Sequence, residues 1–117
     1  MFLELSHTKL DIFKLSREFT LLCYKETKNF PANERYVLVQ QIRRAALSVH
    51  LNLAEGSSRR SEAERKRYYE IARGSLIEVD TAFDIAVQLN YTTKELLQPL
   101  GDLIVRCFQM LSKMIVH

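Results

Sequence analysis

Apolar residues recur at steps of three and four through four separate stretches of this chain, and little between them breaks the backbone. Its 117 residues hold three glycines and two prolines. Three-and-four spacing lines one face of a helix. So few breakers leave no room for the many tight turns of a strand-rich domain. The pattern predicts an all-α protein made of a few long helices.

The first helix is expected over about Thr8 to Lys28, with Ile12, Leu15, Phe19 and Leu22 on one face. Asn33 before Glu34 reads as the N-cap of a second helix. That helix carries Leu38, Val39, Ile42, Ala45, Ala46, Val49 and Leu53 inward and stops at Gly56 in a left-handed C′ conformation. Ser61 and Glu64 have capping-box spacing and start a third helix. It presents Tyr69, Ala72, Leu76, Val79, Phe83, Ala86 and Val87 before stopping at Asn90. Thr92, Thr93 and Glu95 offer a further cap, but Pro99 has no N–H for the carbonyl of Glu95. A turn, a kink and then helix from Pro99 are expected, with Leu100, Leu103, Ile104, Cys107, Leu111 and Met114 inward. Connections this short make successive helices antiparallel neighbours. An antiparallel up-down-up-down four-helix bundle follows, as a single domain over residues 1–117.

A chain of this length can bury a core without disulfide or metal staples. Hydrophobic residues at 47% and charged residues at 26% are ordinary globular usage. Apolar runs such as Leu21 to Cys23 fall far short of the roughly 20 residues of a membrane span. The start, Met1-Phe2-Leu3-Glu4-Leu5, has no basic n-region or long apolar stretch of a secretory signal. A cytoplasmic protein without membrane contact is expected. Cys23 and Cys107 lie on apolar stripes and are expected to be buried free thiols.

Two helices carry more apolar surface than one core needs. On the first, Phe13, Arg17, Thr20 and Tyr24, with Leu10, form a second stripe opposite Leu15 and Phe19. On the second, Leu47 and Leu51 project away from Ile42 and Val49. A helix apolar on two sides is normally covered twice. The expectation is a homo-oligomer in which Leu47 and Leu51 of one chain meet the Phe13 and Tyr24 face of a neighbour. Scattered surface apolar residues are the alternative.

Charge is concentrated in one segment. From Arg43 to Arg73 there are eight basic residues (Arg43, Arg44, Arg59, Arg60, Arg65, Lys66, Arg67 and Arg73) against four acidic ones, a net of +4. The rest of the chain nets −1. Seven of the eight are arginine, whose planar fork suits phosphate. The segment is a candidate surface for RNA or DNA. The competing reading is a solvated surface where Glu62 pairs with Lys66, and Glu70 with Lys66 or Arg67. Tyr68 is a candidate for stacking on bases, while Tyr69 reads as core.

Catalytic chemistry finds little footing. The three histidines are His7, His50 and His117. The Glu-x-x-His of Glu4 to His7 lacks the second motif and the two further glutamates of a di-iron bundle. No cysteine and histidine cluster, phosphate loop or nucleophile elbow occurs. A non-enzyme without metal or cofactor is expected. Asn52 and Glu55 on the second helix, with Ser75 and Glu78 on the third, read as polar groups that fix helix register, with Asn52 bonding Ser75 or Glu78 across the interface.

Gln41-Ile42-Arg43-Arg44-Ala45-Ala46, Asn52-Leu53-Ala54-Glu55-Gly56 and Gly74-Ser75-Leu76 with Glu78, in that order and spacing, resemble one bacterial family. It is the family of four-helix-bundle proteins encoded in intervening sequences of the large-subunit ribosomal RNA gene. The resemblance covers nearly the whole chain, and the fold is also similar to the accessory proteins of diversity-generating retroelements. It implies a bundle, a pentameric ring-like homo-oligomer, nucleic-acid contact and a protein encoded nearby as a further candidate partner. It implies no established activity. The family's ribosomal association is one of gene location.

Overall fold

The computed structural model describes residues 1–116. It forms four α-helices, α1 (Asp11–Thr27), α2 (Leu38–Ser57), α3 (Glu62–Gln88) and α4 (Gln98–Val116), with 3-10 turns at Ser6–Lys9 and Ala32–Glu34. No strand occurs among the described residues. The apolar spacing is realised almost residue for residue: Phe19, Ile42, Val49, Leu53, Leu76, Val79, Leu100 and Leu111 are all buried in one core. Each such side chain contributes about 1.5–3 kcal/mol relative to exposure.

Each helix packs on two others, α1 on α2, α2 on α3, α3 on α4 and α4 back on α1. Polar pairs show the directions. Ser16 pairs with His50, Thr20 with the Ala46 carbonyl and Thr27 with Arg43. Residue numbers rise on α1 as they fall on α2, so the two run antiparallel. Gln41 with Glu78 and Ser57 with Tyr69 give the same sense for α2 and α3. Arg73 with Ser112 bridges α3 and α4.

Local chemistry sets several helix ends. Ser61 Oγ accepts from the Glu64 N–H at 3.0 Å and caps α3. Asn90 takes a left-handed φ of 62°. Its N–H donates to the Val87 carbonyl and that of Tyr91 to the Ala86 carbonyl, a Schellman motif that closes α3. Ahead of α4, Thr93 Oγ1 accepts from the Leu96 N–H in a separate turn. Pro99 falls in the first turn of α4, where its missing N–H has no intrahelical partner to lose.

Two expected ends are corrected. Helix α2 begins at Leu38 instead of after Asn33, because Asn33 and Glu34 are taken into a 3-10 turn behind Pro31. Glu34 Oε2 there accepts from the Tyr91 hydroxyl at 2.7 Å, while Phe30 packs on Phe83 and Tyr91 and plugs that end of the bundle. Gly56 is not a left-handed stop, since no glycine has positive φ and α2 continues through Ser57. It is needed for close approach: a Cβ there would lie 2.8 Å from Tyr68 Cβ.

Cys23 and Cys107 are buried free thiols. Burial pushes the Cys107 thiol up to about 11 and Cys23 higher still, so both stay protonated. No described helix is long and apolar enough to cross a membrane.

The second apolar stripe of α1 is turned in part toward α2. Thr20 is buried, and Phe13 and Tyr24 are half-buried against α2 of the same chain. Phe13 lies 4.3 Å from the His50 ring, and Tyr24 lies 4.8 Å below the Arg43 guanidinium. A face opposite Leu15 is still turned toward α2, because a helix in a square bundle has two neighbours. Burial chiefly, with the charges of Arg17 and His7, holds His50 below its usual value near 6.5. The unfolded chain then takes up the proton more readily, so His50 contributes stability above that value that is lost as pH falls through its folded pKa. Urea unfolding of His50→Gln should lose this component of the acid-side decline. An identical pH profile for the variant would refute it.

Candidate nucleic-acid interface

The antiparallel order brings the α2 C-terminus and the α3 N-terminus to one end of the bundle, joined by a short loop. Helix geometry separates the predicted cations into distinct places. Arg44 lies about 20 Å from the end of α2, and Arg73 about 16 Å into α3, at 1.5 Å per residue. Around the loop itself gather Arg59, Arg60, Arg65, Lys66 and Arg67.

Four of the eight basic residues are spent inside the chain. Arg43 Nε donates to Thr27 Oγ1 at 3.0 Å and its Nη2 to the Tyr24 carbonyl. Arg73 donates to Ser112 Oγ and lies 5.9 Å from the Phe108 ring. Arg59 donates to Glu55 Oε2 at 2.8 Å and to the Tyr68 hydroxyl at 3.1 Å, with its guanidinium over the Tyr68 ring. That ring face is therefore occupied by arginine instead of being open for a base. Arg65 Nη1 donates to the carbonyls of Arg59 and Arg60, at 3.0 and 2.7 Å. It braces the loop by satisfying two carbonyls left over beyond α2.

Arg44, Arg60, Lys66 and Arg67 are exposed and make no side-chain hydrogen bond or ion pair among the described residues. The expected pairs of Glu62 with Lys66 and of Glu70 with Lys66 or Arg67 are not formed; the ion pair among described residues is Arg59 with Glu55. The first two turns of α3 thus present Lys66 and Arg67, and the loop before them, held by Arg65 and Arg59, presents Arg60. Three solvated cations on a rigid support suit phosphate contacts that position a backbone without reading bases.

The polar register group differs in wiring from its expected form. Asn52 Nδ2 donates to the Ser48 carbonyl at 2.8 Å and to Ser48 Oγ at 3.0 Å. Ser48 Oγ lies 2.8 Å from Ser75 Oγ. Asn52 therefore reaches α3 through Ser48, a residue whose i, i+4 spacing from Asn52 was the available signal. Glu78 accepts from Gln41 at the surface, and Glu55 from Arg59. The Ser16 hydroxyl, with no exposed surface, and His50 Nδ1, 2.7 Å apart, form a hydrogen bond between α1 and α2. No group of three or more histidine, cysteine, aspartate or glutamate side chains suited to a metal occurs among the described residues. His117 lies outside them.

Fold and surface together define a small helical-bundle protein with a cationic end. Residues 8–113 match the family described as 23S rRNA-intervening sequence protein, and the chain belongs to that family. Comparison with curated proteins gives no match. Among solved structures, a Bacteroides thetaiotaomicron protein of unknown function from the S23 ribosomal protein family has the same fold, with a TM-score of 0.79. It is 21% identical, over 89% of this chain and 97% of that one.

Proposed function

We propose that the protein is a non-enzymatic, homo-oligomeric bundle that binds RNA or DNA through the cationic end formed by the α2–α3 loop and the start of α3. The observation that carries this reading is a set of three exposed, unpaired cations, Arg60 on the arginine-braced loop and Lys66 and Arg67 at the start of α3. Assembly repeats the trio around a symmetric particle, so weak phosphate contacts add across copies. Pentameric assembly follows the family resemblance, and the exposed Leu47 and Leu51 support contact between copies.

A protein-binding scaffold is the second reading, favoured by those same exposed leucines. Salt separates the two. Phosphate contacts weaken by about 0.9 log units in affinity per log unit of salt for each duplex phosphate neutralised. Light scattering of the wild type at micromolar concentration, with and without a mixed RNA and DNA pool, should give a mass above the 13.7 kDa chain and a salt-sensitive shift on adding the pool. A monomer mass would remove the assembly claim. Salt-insensitive or absent binding would favour the scaffold.

A further inference from the structure

Because α4 returns to α1, the α1–α2 face and the α3–α4 face lie on opposite sides of the bundle. Both expose apolar residues. On the first, Leu21, Leu47 and Leu51 project outward, Leu51 with 59% of its surface exposed. Arg44, three residues before Leu47 and so on the same side of α2, is exposed and has no partner among the described residues.

The second face holds an open groove between α3 and α4, in two adjoining parts of about 640 and 470 Å³. Ile104 and Val105 line both parts, Phe83 and Leu100 the first, and Ile77 and Phe108 the second. Ile77 is 50% and Val105 55% exposed. Asp80, Asp84 and Asp102 also line the groove, against a single cation among its lining residues, Lys94. Neither Asp80 nor Asp84 is hydrogen-bonded or ion-paired through its side chain among the described residues. Like charges at i, i+4 destabilise the helix that carries them. A cation docked between them offsets that repulsion.

We infer that the α3–α4 groove receives the α2 ridge of a second copy of this chain, Leu47 and Leu51 entering the apolar groove and Arg44 reaching Asp80 and Asp84. Oligomerisation is the reading given above; the inference rests on it and names both halves of the contact. The lengths agree. The groove runs from Leu76 to Gln88 along α3, about 18 Å, and Arg44 to Leu51 spans about 10 Å. Charge complementarity also sets the register and raises the association rate. Opposite faces make the contact head-to-tail, so each chain uses one ridge and one groove, and the assembly closes into a ring or runs on.

Two variants test this. Arg44→Glu/Leu51→Glu disables the ridge and keeps the groove, while Ile77→Glu/Val105→Glu does the reverse, and the two altered surfaces repel each other. Each should sediment as a single 13.7 kDa chain with wild-type helical circular dichroism. Mixed in equal amounts, they should form a particle of two chains and no larger, because one working ridge meets one working groove. Should either double variant lose helicity, Leu51→Glu and Val105→Glu singly serve the same mixing experiment. If the wild type assembles but the mixture stays monomeric, or either variant alone keeps the wild-type mass, this pairing is overturned while oligomerisation stands. A monomeric wild type would overturn both.

Discussion

Changing Arg60, Lys66 and Arg67 together to glutamine is expected to remove most nucleic-acid affinity while leaving the fold intact. All three are exposed, with no side-chain partner among the described residues. Such substitutions usually shift stability by within about 0.5 kcal/mol. Each lost phosphate contact should flatten the log-log salt slope by about one unit, so the triple change removes about three units per engaged chain. The loss should be similar for unrelated sequences, because phosphate contacts carry no base information. Arg59→Gln/Arg65→Gln makes the contrast. These two arginines hold the loop carbonyls, Glu55 and Tyr68, so that variant should lower the melting temperature before any effect on binding is read. An unchanged binding curve for the triple variant would place the site elsewhere.

Gly56→Ala is expected to destabilise the protein by about 2 kcal/mol, even though alanine favours a helix by roughly 1 kcal/mol over glycine. The added Cβ would lie 2.8 Å from Tyr68 Cβ and 3.0 Å from Tyr69 Cε1. Tyr68 Cβ is anchored to the α3 backbone and cannot swing aside, so the helices must separate where α2 meets α3. For a domain of this size the melting temperature should drop by about 8 °C. Gly74→Ala and Gly101→Ala are the controls. Nothing stands within 4 Å of either new Cβ, so each should raise stability by up to about 1 kcal/mol. If thermal denaturation ranks the three alike, the close approach at Gly56 does not limit α2–α3 packing.

Much of the architecture was readable from residue spacing. The 3.6-residue turn decides locally which side chains share a face. Ile42, Val49, Leu76 and Val79 were therefore placed inward without knowing what lay opposite. Ser61 and Asn90 were equally legible, because a cap bonds backbone within a few residues of itself. Gly56 was misread for the complementary reason. Its left-handed stop is a local rule, whereas its actual use depends on Tyr68 and Tyr69 across the interface.

The candidate site divides the same way. Composition and order alone located the excess of positive charge around the α2–α3 connection and predicted the all-α bundle that carries it. Only the tertiary structure decided that Arg43, Arg59, Arg65 and Arg73 are spent on Thr27, Glu55, loop carbonyls and Ser112, leaving Arg60, Lys66 and Arg67 open at that end. It also turned Phe13 and Tyr24 toward α2 and set Asp80 and Asp84 along an apolar groove. Helix formation follows from a side chain's own turn. Whether a long polar side chain is free or bound depends on groups that packing brings from distant positions, and these have no signature in local spacing.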